Sequence, residues 1–223
     1  MRNLLPLLGL AAFTGIAITH EVVTGTGRPA VAQELSEESK PNLIAEFIVT
    51  LARPQFHEAI EPLGDLIAKG EGDWNAVNRG WAGDTPGGLQ YVIGTDCNNV
   101  TVGEIISLQN QGRIYAVGRY QFIPTTLRYA VNVSDVTYSD YFTPQVQNEL
   151  FAALLEHKRP AVAAYLRGDH DNLAHALDEM AREWSSVEYR NGRGYHDHVG
   201  GNRAHITRWE MSQVLDEVRS TLV

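Results

Sequence analysis

From residue 58 onward, apolar positions recur mainly at helical spacing. Ile60, Leu63, Leu66 and Ile67 predict a helix over 58–69, with Gly70 as its natural stop. Thr101-Val102-Gly103-Glu104 has the capping-box pattern and predicts a helix through Ile105, Ile106 and Leu108. Pro124 suits the first turn of a short helix that includes Leu127. Thr143-Pro144 opens another, with Val146, Leu150, Phe151, Leu154 and Leu155 as its buried stripe. A short helix over 160–166 closes at Gly168. Leu173, Leu177, Met180, Ala181 and Trp184 predict a longer amphipathic one, and residues 206–222 the last. Residues 71–100 differ in character. Glycine and asparagine surround Trp74 and Trp81, and Leu89-Gln90-Tyr91-Val92-Ile93 reads as a strand. The predicted class is α+β, mostly helical, with a small β region near residues 85–100.

The N-terminus follows another pattern. Arg2 precedes an apolar run over 4–18, shorter than the roughly 20 residues of a membrane span. Ala30-Val31-Ala32 then forms a plausible cleavage site, so residues 1–32 read as a signal peptide or a retained N-terminal anchor. The expected location is outside the cytoplasm, periplasmic or extracellular, with membrane contact only through that segment. Residues 33–56 read as a lead-in, polar and acidic at first and then helical over 43–52 until Pro54 interrupts. Residues 57–223 are the expected catalytic domain.

Charge and cysteine content narrow the function. Eighteen basic side chains against 27 acidic give a net charge of −9, the wrong sign for a nucleic-acid binder. Arg2, Arg28 and Glu21 are the formally charged residues of the first 32, so removing them leaves the chain no less acidic. One cysteine, Cys97, excludes an internal disulfide framework and a cysteine-built zinc site. No metal or cofactor is expected, and a monomer is.

Two segments carry candidate chemistry. In Leu66-Ile67-Ala68-Lys69-Gly70-Glu71-Gly72-Asp73 a carboxylate ends an apolar helix between two glycines. A general acid needs a carboxyl raised in pKa by an apolar wall, with room alongside for substrate. Trp74 and Trp81 are candidates for that wall. The second segment, Gly118-Arg119-Tyr120-Gln121-Phe122-Ile123-Pro124, is a glycine turn leading into a proline-started helix. Such a turn presents an aromatic and an amide side chain to a cleft.

Glu71, the Gly118–Pro124 loop with Thr126, and Arg182-Glu183-Trp184-Ser185-Ser186 followed by Gly194-Tyr195 together resemble the lysozyme-like superfamily of peptidoglycan-cleaving enzymes, in particular the phage lambda endolysin type. The similarity covers roughly residues 60–210. The resemblance implies a lysozyme-like domain acting on peptidoglycan glycan strands. In it Glu71 would protonate the bridging oxygen of the MurNAc–GlcNAc β-1,4 bond, and Tyr120, Gln121 and Tyr195 would line the sugar cleft. It also implies two outcomes, hydrolysis by water or attack by the sugar's own 6-hydroxyl to give a 1,6-anhydro end. Asp73 and Asp84 stand as possible second carboxylates, though Asp84 in Gly83-Asp84-Thr85-Pro86 is also a turn former. Glu104 is expected to cap its helix, and Glu183 to flank the core as a structural partner.

Three other readings stay open. Cys97 with His196 or His198 has the chain order of a papain-like peptidoglycan endopeptidase, but Asp96 beside the thiol does not favour a thiolate. His196-Asp197-His198 invites a metal, although the surrounding glycines suggest a polar loop. A glycan-binding module without catalysis would keep the cleft and lack the acid.

Overall fold

The computed structural model describes residues 56–198 and 203–223. The chain divides into Met1–Glu46 and Phe47–Val223, and the described residues belong to the second unit. The signal or anchor segment, and the lead-in as far as residue 55, therefore lie outside the described residues.

Apolar periodicity becomes helix almost wherever the sequence predicts it. Helix α1 is Phe56–Ala59, and α2 is Glu61–Glu71, which buries Leu63, Leu66 and Ile67. Helix α3 is Gly88–Ile93, α4 Val102–Asn110 and α5 Pro124–Asn132. Helix α6, Pro144–Ala153, continues into a π-helical turn over Leu154–Lys158. Helices α7 (Pro160–Leu166), α8 (Leu173–Glu183) and α9 (Arg208–Leu222) complete the set. Helix α9 packs against α2 and α7, and α7 against α8. One apolar core includes Phe122, Phe142 and Phe151 at full burial and Trp184 at its edge with α8.

The β content is small and is not where the sequence pattern puts it. Strands β1 (Val77–Asn78) and β2 (Ala116–Val117) pair antiparallel, Val77 opposite Val117 and Asn78 opposite Ala116. Strands β3 (Glu188–Arg190) and β4 (Arg193–Gly194) form a second two-stranded pair. Residues 85–100, the expected β region, contain no strand. Leu89-Gln90-Tyr91-Val92-Ile93 is helical instead, buried on Leu89, partly on Val92 and Ile93, and open on Tyr91, which is 72 % exposed. The spacing Leu89, Val92, Ile93 serves one face of a helix as well as alternation serves a strand. Gly87 at φ +83 supplies the left-handed residue that starts it.

The expected stop at Gly70 is also corrected. Helix α2 runs through Gly70 to Glu71 and ends at Gly72, φ +139. Gly70 serves a close approach: a Cβ there would stand 2.4 Å from the Ser186 Cβ.

Candidate active site

Glu71 occupies the last turn of α2, against the chain between α8 and β3. The Ser186 backbone N–H donates to its Oε1 at 3.2 Å. Burial raises the Glu71 pKa above the ordinary carboxylate value, and this is the largest effect. The Ser186 hydroxyl and amide pull it down, Asp84 pushes it up and His205 pulls it down. The Ser186 Oγ is buried with no hydrogen bond of regular geometry, so the hydroxyl acts here through proximity. The negative end of the helix dipole also disfavours an ionised carboxyl at this position. A carboxyl that holds its proton more tightly than usual, beside open space, suits proton donation to a leaving group.

The chain that follows is held down by backbone pairing. Strand β1 joins β2, the Gly118 N–H donates to the Ala76 carbonyl at 2.8 Å, and the buried Gln147 donates from Nε2 to the carbonyls of Trp74 and Phe142 at 3.0 and 2.9 Å. Gln147 Oε1 accepts from the Arg119 N–H at 2.9 Å. One amide side chain thus ties the segment after Glu71 to the Gly118–Pro124 loop. Gly118, φ +76, is required there, because a Cβ would meet Gln147 Oε1 at 2.4 Å.

Glu71 lies in the walls of two cavities. The smaller, about 500 Å³, is also lined by Asp73, Asp84, Thr85 and Asp96. The larger, about 910 Å³, is also lined by Gln121, Lys158, Arg182, Glu183 and His196. Asp84 accepts from Asn78 Nδ2 at 2.8 Å, and Asp73 Oδ1 accepts from the Asn75 N–H at 2.8 Å. Thr85 is buried, and its Oγ1 has no hydrogen-bond partner. Among the described residues, no group of three or more His, Cys, Asp or Glu side chains is arranged to hold a metal ion.

The residues expected to line the cleft have separate fates. Gln121 is at the larger cavity, in the left-handed region at φ +48, with its Nε2 donating to the Gly118 carbonyl at 3.0 Å. A non-glycine residue held there is strained, and the loop must over-determine it. Tyr120 borders the same cavity but belongs to the core. It is 3 % exposed, its ring is stacked on Phe151 at 4.2 Å, and its hydroxyl donates to Asn148 Oδ1 at 2.6 Å. Alternation along a loop does not reveal which of two neighbours turns inward, and the aromatic ring finds more apolar surface in the core. Tyr195 is not in either cavity wall. It packs edge-on to Tyr189 and His196, and His196 is the neighbour that reaches the larger cavity.

The remaining candidates resolve structurally. Thr101 and Glu104 form the full capping box, which lowers the Glu104 pKa. The Glu183 side chain is 5 % exposed and bonded to Lys158 Nζ at 2.6 Å and Arg159 Nε at 2.7 Å. Trp74 is partly buried against the core, with the Arg119 guanidinium 4.3 Å above its ring. The Trp81 side chain lies outside the described residues. Cys97 is 1 % exposed, and burial followed by Asp96 raises its thiol pKa, the reverse of nucleophile activation. His196 Nε2 pairs with the Arg182 carbonyl at 3.0 Å, and His198 is exposed.

Sequence reasoning missed Ser186, Thr85, Lys158 and Gln147. Ser186 and its neighbours form a legible motif, but no local signal says that its amide meets a carboxyl at the end of α2. No protein-family model, curated protein or solved structure matches the chain.

Proposed function

We propose that the protein cleaves the β-1,4 glycan strand of peptidoglycan, with Glu71 as the acid that protonates the bridging oxygen. The observation that carries this reading is Glu71's membership of two cavity walls, with a pKa raised by burial. A chain-like ligand that occupies both cavities meets the carboxyl they share, which suits cleavage within a polymer. The resemblance of Glu71, the Gly118–Pro124 loop and the Arg182–Ser186 segment to lysozyme-like enzymes supports the same reading. In this reading the domain is lysozyme-like and the enzyme is exported to the wall it cuts.

Proton transfer from Glu71 lets the leaving sugar depart as an alcohol and builds oxocarbenium character on the sugar left behind. Asp84 stands in the wall of the smaller cavity with Glu71. It is suited to hold an attacking water, which favours hydrolysis over internal attack by the 6-hydroxyl. After the first step Glu71 is ionised and recovers its proton from that water.

Mass spectrometry of digested cell wall tests the reading. Reducing muramyl ends are expected, anhydro ends would shift the mechanism to transglycosylation, and new free amino groups without glycan cleavage would favour a peptidase. Glu71→Gln keeps the shape and the Ser186 contact but has no proton to give. It is expected to lose at least ~10²-fold in rate while folding normally. Near-normal lysis by that variant would overturn the assignment.

A further inference from the structure

The two cavities that share Glu71 differ in their charged lining. Asp73, Asp84 and Asp96 surround the smaller one. Lys158 and Arg182 stand in the larger one, where Glu183 is the carboxylate besides Glu71 itself. These cations are the two ends of one ion-pair chain. Lys158 pairs with Glu183, Glu183 with Arg159 at 2.7 Å, Arg159 with Glu179 at 2.8 Å, and Glu179 with Arg182. Three permanent cations share two carboxylates, leaving one positive charge in excess. His175 lies at the fringe of this chain, its Nε2 3.9 Å from Glu179, and His196 at the cavity wall contacts the Arg182 carbonyl. The Arg182 side chain is 38 % exposed, so part of its guanidinium is open to a ligand even while it pairs with Glu179.

From this asymmetry, and resting on the reading of Glu71 as the acid of glycan cleavage, we infer that the larger cavity receives the carboxylate-bearing arm of a muramyl sugar, with Arg182 as its principal partner and Lys158 as a second cation. An anion in the smaller cavity would face three aspartates, whereas a guanidinium meets a carboxylate with charge-assisted hydrogen bonds. The carboxylate is the sugar's own lactyl group or, where a peptide extends that group, a carboxylate of the peptide. The neutral N-acetylglucosamine unit has no charge to match on this side. The strand is thereby oriented before the proton moves.

The network tolerates the test. Without Arg182, Glu179 keeps Arg159, and without Lys158, Glu183 keeps Arg159. In the Glu71→Gln protein, which should bind without cutting, calorimetry compares two probes: a tetrasaccharide of alternating N-acetylglucosamine and N-acetylmuramic acid, and the neutral N-acetylglucosamine tetramer. Adding Arg182→Gln is expected to weaken the first roughly 10-fold, about 1.4 kcal/mol, and the second less than about twofold. Lys158→Gln should produce a smaller loss in the same direction, and Arg182→Lys should recover most of the affinity. Raising the salt concentration should narrow the gap between the probes. Equal losses for both probes, or no loss for the muramyl one, would overturn the assignment of the larger cavity while leaving glycan cleavage standing. Failure of the Glu71→Gln protein to bind either probe would overturn both.

Discussion

The Glu71 carboxylate accepts the Ser186 backbone amide at 3.2 Å across 115 residues of sequence. This contact joins the end of α2 to the chain leaving α8, and Gly70 makes it sterically feasible. One neutral donor orients the carboxyl, yet burial still outweighs it and the pKa stays raised. The geometry therefore aims an acid without forcing it to ionise.

Stability should report that raised pKa. In the folded protein Glu71 holds its proton more tightly than in the unfolded chain, where a glutamate titrates near 4.3. Its contribution to folding is complete below that value and is lost as pH rises through the higher folded value. Glu71→Gln removes the ionisation, so its Tm should exceed that of the parent at about pH 8 and match it at about pH 3.5. Calorimetric scans at both pH values check this, and an identical difference at both would contradict it.

Gly70→Ala should damage both stability and catalysis. The new methyl would stand 2.4 Å from the Cβ of the buried Ser186, so one of the two segments must shift. Overpacking of this kind costs about 1–3 kcal/mol. Chemical denaturation measures that cost. Cleavage should fall further than unfolding accounts for, because the displaced segment carries Glu71's hydrogen-bond donor. A variant that is equally stable and fully active would show the close approach to be unimportant.

Tyr120→Phe separates a core role from a sugar-binding one. It removes the hydroxyl that donates to Asn148 and leaves the ring stacked on Phe151. A loss of about 1 kcal/mol in stability is expected from a buried hydrogen bond. KM should hardly move, and a rise of tenfold or more in KM at unchanged stability would give the Tyr120 hydroxyl a sugar-binding role.

Glu183→Gln should be costly although it touches no reacting atom. The carboxylate is 5 % exposed and receives both Lys158 and Arg159. Removing one partner of a buried ionic cluster leaves charge uncompensated, typically about 3–5 kcal/mol. Urea unfolding gives the number. A change below about 1 kcal/mol would mean that water or Glu179 takes over the pairing.

Local features were the legible part of this protein. Thr101 caps its helix through the Glu104 amide, Thr143 through Val146 and Thr207 through Glu210, each within three residues. The first two were readable as patterns because donor and acceptor are near neighbours in sequence. Leu89–Ile93 is ambiguous for a related reason: five residues satisfy either period, and Gly87 and the core beneath Leu89 make the choice. The Arg182–Ser186 segment was visible as a motif. The division of labour within it was not, since Glu183 turns to Lys158 and Arg159 while Ser186 turns to Glu71.

Sequence alone determined that the domain is mostly helical, that Glu71 ends an apolar helix between glycines, and that a proline-started helix follows the Gly118 loop. Those properties depend on periodicity, caps and backbone freedom over a few residues. Tertiary structure alone decided that Tyr120 is core, that Gln121 faces a cavity, and that Glu71 is shared by an aspartate-lined cavity and one that also holds Lys158 and Arg182. Burial and electrostatic environment depend on residues brought together from distant parts of the chain. The pKa of Glu71 is set largely by its burial and by Ser186, with Asp84 and His205 contributing, and no local pattern encodes their meeting.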